Sequence, residues 1–240
     1  MALRALELRR VSMPLVRPFR TSFGVESHRD ILLVRAETDD GEGWGECVAM
    51  SEPRYSPEYV DGAQHVIEHF FAPELFAARE LDAAAVALRL AVFEGHPMAK
   101  AVVEMAVLDA ELRAAGVSFA AHLGAVADRV PAGVSIGIHD DLDELLDQVA
   151  GYLAEGYLRI KLKIEPGTDV EPVRAVRERF GPDLLLQVDA NAAYTVADAD
   201  HLARLDDLDL LLIEQPLPTE DIAGHVELAS RVRTPICLDE

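Results

Sequence analysis

Three carboxylates, Asp189, Glu214 and Asp239, stand 25 residues apart in the second half of the chain, and Lys163 precedes the first of them by 26. Each closes a short apolar run: RIKLKI, LLLQVD, LDLLLIE and TPICLD. A period of about 25 residues with one strand per period is what repeated β/α units produce. The C-terminal ends of successive strands are where a β/α barrel keeps its chemistry. Acids at three neighbouring strand ends converge on one point, and convergent carboxylates favour a hard divalent cation. Acids are common here, 43 of 240 residues, so one alone would mean little. A strand-ending Asp is often only the N-cap of the next helix. The shared phase, with a lysine in it, sets these three apart.

The pattern of the chain changes near residue 125. Before it, LRALELRRVSMPL, DILLVRAETDD and GWGECVAM read as strands, the last two joined by the hairpin signal DDGEG. Between the first two, VRPFRTSFGVESHR reads as a polar and aromatic loop. Helices are predicted over SPEYVDGAQHVIEHFF, opened by a Ser cap and Pro57, over LDAAAVALRLAVF, and over HPMAKAVVEMAVLDAELRAAG, closed by Gly116. Residues 1–125 therefore predict an α+β lobe. From Val130 strands and helices alternate through five strands, with helices over DDLDELLDQVAGYLAEG, DVEPVRAVRERFG, TVADADHLARLDDL and TEDIAGHVELASRV. Such alternation with right-handed crossovers gives parallel strands. The fold class predicted is α/β: an N-terminal α+β capping domain, residues 1–125, then a TIM-type (β/α) barrel over 126–240. That barrel would be truncated after its fifth strand, since a full one takes roughly 250 residues.

Lys161 and Lys163 are two apart on a predicted strand and share a face. Ile160, Leu162 and Ile164 supply the apolar face toward the helices, which turns both lysines inward. Two adjacent ammonium groups are expected to depress each other's pKa, and a lysine so depressed serves as a general base near neutral pH.

The net charge of −21 argues against a nucleic-acid or anionic-membrane partner, because phosphate binding needs a basic patch. No run approaches the length of a membrane span, and MALRALELRRV does not read as a signal peptide. Two cysteines, Cys47 and Cys237, far apart and without CxxC spacing, suit a reducing, cytoplasmic setting as small core residues.

Lys161-x-Lys163, VDAN with Asp189, IEQP with Glu214 and LDE with Asp239, together with GEGWGE ending at Glu46, resemble the enolase superfamily and its muconate-lactonizing subgroup. SMPLVRPFRTSFG and the VSIGI strand are most similar to o-succinylbenzoate synthases, many of which also racemise N-acylamino acids. The resemblance implies Mg²⁺, with Mn²⁺ or another divalent cation as a substitute, on Asp189, Glu214 and Asp239. It implies Lys163 as general base and Lys161 as the residue that tunes it. Asn191 would order the site. Ser135 would touch or underlie a substrate carboxylate. Phe19, Phe23 and Met50 would form an apolar lid. The implied partner is a small-molecule carboxylate, and the implied assembly a homo-oligomer. The pairing of such a base with Mg²⁺ is a known pattern of these sites. Racemisation also needs a second base on the opposite face, which by the 25-residue period falls about one unit beyond Asp239, outside this chain. Dipeptide epimerases and muconate cycloisomerases share the lysine pair and ligands, and a metal-holding fragment without turnover is a further alternative.

Overall fold

Residues 1–240 are described by a computed structural model, in which Met1–Val16 with His28–Asp128 form one unit and Arg17–Ser27 with Arg129–Glu240 form a second. The segment expected to be a loop is not one. Strand β1 (Leu3–Thr21) and strand β2 (Gly24–Thr38) continue through it and leave only Ser22 and Phe23 as a turn. Pro18 interrupts nothing because β1 is the edge of the three-stranded sheet β1-β2-β3. The tip of this hairpin is the part that belongs to the second unit.

In the first unit β2 pairs antiparallel with β3 (Glu42–Cys47), Val34 opposite Gly45. The turn between them is tied by Thr38, whose hydroxyl accepts the N–H groups of Asp40 and Gly41 at 3.2 and 3.1 Å. Helix α1 (Val60–Val66) runs through a single π turn, Ile67–Phe71, into α2 (Ala72–Phe76). Pro73 has no N–H to continue an α ladder, and the π turn carries the chain past it through Ala72 N–H to Ile67 O. The helix starts later than Ser56 and Pro57 suggest, because Tyr59 is held in a β-bridge with Met50. Helix α3 (Ala83–Leu90) is capped by Asp82, which accepts from Ala85 N–H at 2.7 Å. Helix α4 (Pro97–Ala115) ends on Gly116 at φ 66°, as its sequence predicts, and a short α5 (Phe119–His122) follows.

Helix α4 lies directly on β3. The contact needs Gly43 and Gly45: a methyl on Gly45 would overlap Val102 O, and one on Gly43 would overlap Ala106 O and Ala110 N. Between them the Trp44 N–H donates to Asp109 Oδ2 at 2.9 Å. The two glycines of GEGWGE thus set the helix–sheet distance that closes a core of Leu32, Val34, Ile67, Phe71, Val86 and Val102.

The second unit holds five parallel strands in sequential order: β4 (Gly133–Ile136), β5 (Arg159–Lys163), β6 (Leu185–Asp189), β7 (Ile213–Glu214) and β8 (Ile236–Cys237). Helices α6 (Leu142–Ala154), α7 (Val170–Phe180), α8 (Ala199–Leu202) and α9 (Ile222–Arg231) fall between them. This is the run of consecutive β/α units expected of a barrel. The helix expected over 195–208 is shorter: α8 has four residues, flanked by 3₁₀ turns at Val196–Asp198 and Ala203–Leu208. Its aspartates have other work. Asp198 closes a capping box with Thr195, and Asp206 accepts the N–H groups of Arg233 and Thr234. Arg177 on α7 pins the opposite end of the strands, donating to the carbonyls of Leu184, Leu208 and Asp209 at 2.8, 2.8 and 2.7 Å.

Gly45→Ala is expected to destabilise the protein by about 3 kcal/mol or more, because backbone on both sides must move. A urea unfolding midpoint equal to that of the parent would contradict the close approach of α4 to β3.

Candidate active site

Parallel pairing sets Lys163 opposite Asp189, Asp189 opposite Glu214, and Glu214 opposite Cys237. One layer below, Ser135 lies opposite Lys161, and Lys161 opposite Gln187. Residues two apart share a face, so both rungs project to the same side. The intervening Ile160, Leu162 and Ile164 are buried in the helix-facing core. The lysines therefore point away from the helices, as the alternation predicts.

The charges on this face are paired in a chain. Lys163 Nζ donates to Asp189 Oδ2 and to Asn191 Oδ1, both at 2.6 Å. Lys161 Nζ reaches Glu214 Oε1 at 2.7 Å and Asp189 Oδ2 at 3.0 Å. Gln187 Nε2 donates to the other oxygen of Glu214 at 3.3 Å. The Asn191 N–H donates to Asp189 Oδ1 at 3.0 Å, and its Nδ2 donates to Glu240 Oε1 at 2.9 Å. Asp189 has a side-chain exposure of 1%, so losing a partner here strands a buried charge, typically at a cost of 3–5 kcal/mol.

Burial pushes the Asp189 carboxyl up, but the ammonium groups of Lys163 and then Lys161 outweigh it and hold Asp189 below the usual carboxylate range. Glu214 goes the other way. Burial raises it, the charge of Asp189 adds to that, and Lys161 offsets only part. Burial lowers Lys161, but Glu214 and Asp189 more than compensate, so its ammonium is held above the ordinary lysine value. The expected mutual depression of the two lysines is thus overturned for Lys161: adjacent carboxylates matter more to it than the adjacent ammonium.

The three acids do not converge as a ligand set here; no three His, Cys, Asp or Glu side chains stand in metal-binding geometry. The ammonium groups lie against the oxygens a cation would take. Equal spacing along the chain is also not equal register. Glu214 pairs with Cys237, and Asp239 follows two residues further on, its N–H donating to Gln215 Oε1 at 2.8 Å. The donor chemistry nevertheless suits a hard divalent cation. Asp189 and Glu214 are side by side, all three acids offer oxygen, and Glu240 Oε2 is buried without a hydrogen-bond partner.

Ser135 Oγ and Gln187 Oε1 are likewise buried without partners, in the rung of Lys161. The hairpin tip is fastened to three strand ends. Ile138 N–H donates to Arg20 O at 2.9 Å, Arg20 bonds Asp140 and Glu165 at 2.6 and 2.7 Å, and Ser22 Oγ donates to Ala190 O at 3.0 Å. Gly137 leaves the room for this: a methyl there would come within 2.9 Å of Arg20 O and 3.5 Å of the Phe19 ring. Phe23 sits in the same tip, whereas Met50 belongs to the first unit. Gln187, Gln215, Glu240 and Arg20 were not singled out from sequence, and Cys237, expected there as a small core residue, is only half-buried and pairs with Glu214 on this face. Gln187 and Cys237 each lie two before a candidate acid, so strand alternation alone could have placed them on this face. The Cys237 thiol is pushed up by burial and by the charges of Glu214 and Asp239.

The fold and the paired strand ends define a β/α scaffold with lysine and carboxylate side chains at the C-terminal ends of its strands. Residues 5–124 match the mandelate racemase / muconate lactonizing enzyme N-terminal domain, and residues 144–240 match the enolase C-terminal domain-like family. The chain belongs to this family of the enolase superfamily. It is 67% identical over its whole length to an N-succinylamino acid racemase of Amycolatopsis sp, covering 65% of that protein. Over 97% of its length it is 44% identical to an o-succinylbenzoate synthase of Geobacillus kaustophilus, covering 62% of it. A solved enolase-superfamily structure from Listeria innocua superposes with a TM-score of 0.92 at 36% identity, covering all of this chain and 65% of the other. The chain thus spans a little under two thirds of the relatives it matches. No helix is long and apolar enough to cross a membrane.

Asp189→Asn removes the carboxylate that both ammonium groups share. The Lys161 pKa is then expected to fall, which ¹⁵N-lysine NMR titration of the metal-free protein reads directly; an unmoved value would mean Asp189 does not hold it up. Because the folded Asp189 pKa is depressed, its stabilisation is present above the unfolded carboxylate value and lost as pH falls through the folded one. The acid limb of the stability curve should therefore be shallower in Asp189→Asn.

Proposed function

We propose that this chain carries the base and the metal-binding acids of an enzyme that removes a proton α to a carboxylate, with N-succinylamino acids and the precursor of o-succinylbenzoate as its substrate class. The observation that carries the reading is the Lys163 ammonium, held at a strand end by Asp189 and Asn191 at 2.6 Å each, beside the Asp189–Glu214 pair. The names of the two relatives support the substrate class.

Asp189, Glu214 and Asp239 would hold Mg²⁺ or another divalent cation, which supplies the positive charge that makes a proton beside a carboxylate acidic enough to remove. Lys163 takes that proton in its neutral form. Its present partners, Asp189 and Asn191, orient the amine along one direction and return the ammonium to a fixed place after transfer. Lys161, half-buried and held cationic by Glu214 and Asp189, contributes positive field on the same face. Ser135 Oγ, buried and without a partner, is an available donor for a substrate oxygen or for a water beneath it. Phe19 and Phe23, on the fastened hairpin tip, exclude water from the strand ends and set the fit of the acyl group. For dehydration one base suffices, with the same lysine assisting loss of the hydroxyl. Racemisation needs a second base on the other face of the substrate. Two free cysteines are consistent with a reducing cytoplasm.

In the full-length protein, Lys163→Ala is expected to abolish exchange of the substrate α-proton in D₂O, a loss of at least a thousandfold, while metal affinity stays within a few-fold. Exchange at the parent rate would remove Lys163 from the base role. Phe23→Ala is expected to raise KM or shift the preference between succinylbenzoate-type and acylamino-acid substrates without altering metal affinity. Unchanged kinetics together with a lowered unfolding midpoint would make Phe23 a packing residue only.

A further inference from the structure

The turn that follows β6 is left-handed at two successive non-glycine residues. It closes with the Ala193 N–H donating to Ala190 O at 3.1 Å, and both central residues have positive φ, Asn191 at 42° and Ala192 at 62°. Asparagine tolerates that region, whereas the Cβ of alanine crowds the following carbonyl, which is why such turns prefer glycine at the second place. A conformation of this kind persists where its surroundings over-determine it.

The surroundings are specific. Tyr194, the next residue, is fully buried and donates its hydroxyl to Asp169 Oδ2 at 2.8 Å. Asp169 is 5% exposed and also accepts from His201 Nε2 at 2.7 Å and from Val170 N–H at 2.6 Å, at the start of α7. On its other side the His201 ring is held by Arg204, whose guanidinium lies 3.4 Å from Nδ1. Burial and then the Asp169 charge keep the Tyr194 phenol well above its ordinary value, so it remains a donor. Tyr194 N–H donates to Pro216 O at 3.0 Å and Ala192 N–H to Gln215 O at 2.7 Å, which ties the turn to the segment after β7 as well. What the turn holds in place is Asn191 Oδ1 against Lys163 Nζ.

We propose that Asp169 and Tyr194 form a positioning latch. They hold the left-handed Asn191–Ala192 turn, and through Asn191 they aim the Lys163 amine at the substrate. Neither residue touches the reacting atoms. The inference rests on the reading of Lys163 as the base.

Tyr194→Phe in the full-length protein removes one hydroxyl and keeps the ring. The expected result is a fall of about tenfold in kcat and in α-proton exchange, with KM unchanged, and faster amide hydrogen exchange at Ala193. A purely structural role would lower the melting temperature without this split. The deciding variant is Ala192→Gly, which relaxes the turn without restoring the lost hydrogen bond. Alone it should leave kcat at the parent value, and combined with Tyr194→Phe it should recover most of the lost activity. If Tyr194→Phe does not fold, His201→Ala removes another donor from Asp169 and should give a smaller loss, about threefold, relieved by the same glycine. An unaltered kcat in Tyr194→Phe, or a loss that Ala192→Gly does not relieve, overturns the latch. Lys163→Ala measured alongside separates the two readings. If it keeps exchange, the base assignment falls and the latch with it; if it loses exchange while Tyr194→Phe does not, the latch alone falls.

Discussion

The structure of the second unit turns on one electrostatic problem: four ionised side chains share the inner face of three adjacent strands. Lys161, Lys163, Asp189 and Glu214 amount to two positive and two negative charges, and each lies within hydrogen-bond distance of an opposite one. A hydrophobic filling of the same space would be no less stable and often more so. Such a cluster is weak evidence for stability and stronger evidence for a site. It also explains the layers. Ile160, Leu162 and Ile164 carry the packing toward the helices, which frees the alternate positions of the same strand for charge.

The pairing within the cluster is uneven, since Asp189 has two ammonium partners and Glu214 one. Glu214 and Asp189 compete for Lys161, and Glu214, the less well served, has its carboxyl pushed up. The Asp189–Glu214 pair, with Asp239 and Glu240 following on the next segment, is an excess of anionic oxygen at one end of the sheet. Helix capping does not account for carboxylates at this end of the strands. Capping aspartates are present elsewhere, at Asp82, Asp141 and Asp221, and there each accepts backbone N–H groups of its own helix. Asp189 accepts from two ammonium groups and from the Asn191 N–H, which belongs to no helix.

Much of this was legible in the chain because the signals are periodic. The spacing of RIKLKI, LLLQVD, LDLLLIE and TPICLD marks the strands, and alternation within RIKLKI sorts lysines from core. GEGWGE places β3, although only the packing of α4 reveals why its glycines are required. Other features were not legible, for reasons of a different kind. Register is a property of pairing between strands, so the offset of Asp239 from the Glu214–Cys237 rung could not be counted along the chain. The length of the β1–β2 hairpin was hidden because its tip is fastened by Arg20 and Ser22 to strand ends more than a hundred residues away. The shortened α8 lost to tertiary demand, since Asp206 serves Arg233 and Thr234 and not its own helix.

The loops that carry these side chains are also more tightly specified than loops in general. Three of the five non-glycine residues at positive φ, Asn191, Ala192 and Gln215, lie just after β6 and β7. Two of them make contacts that bear on the charge cluster: Asn191 receives Lys163, and Gln215 Oε1 accepts the N–H groups of Asp239 and Glu240. A relaxed extended backbone at these positions would send the two side chains elsewhere. Strain at the strand ends is therefore the means by which residues two apart, such as Asp189 and Asn191, are brought against one ammonium group, where an unbroken strand would leave them a full repeat, about 7 Å, apart. It follows that the capacity of this face to hold the Lys163 amine at a fixed angle depends on backbone that only a closely packed second layer can sustain.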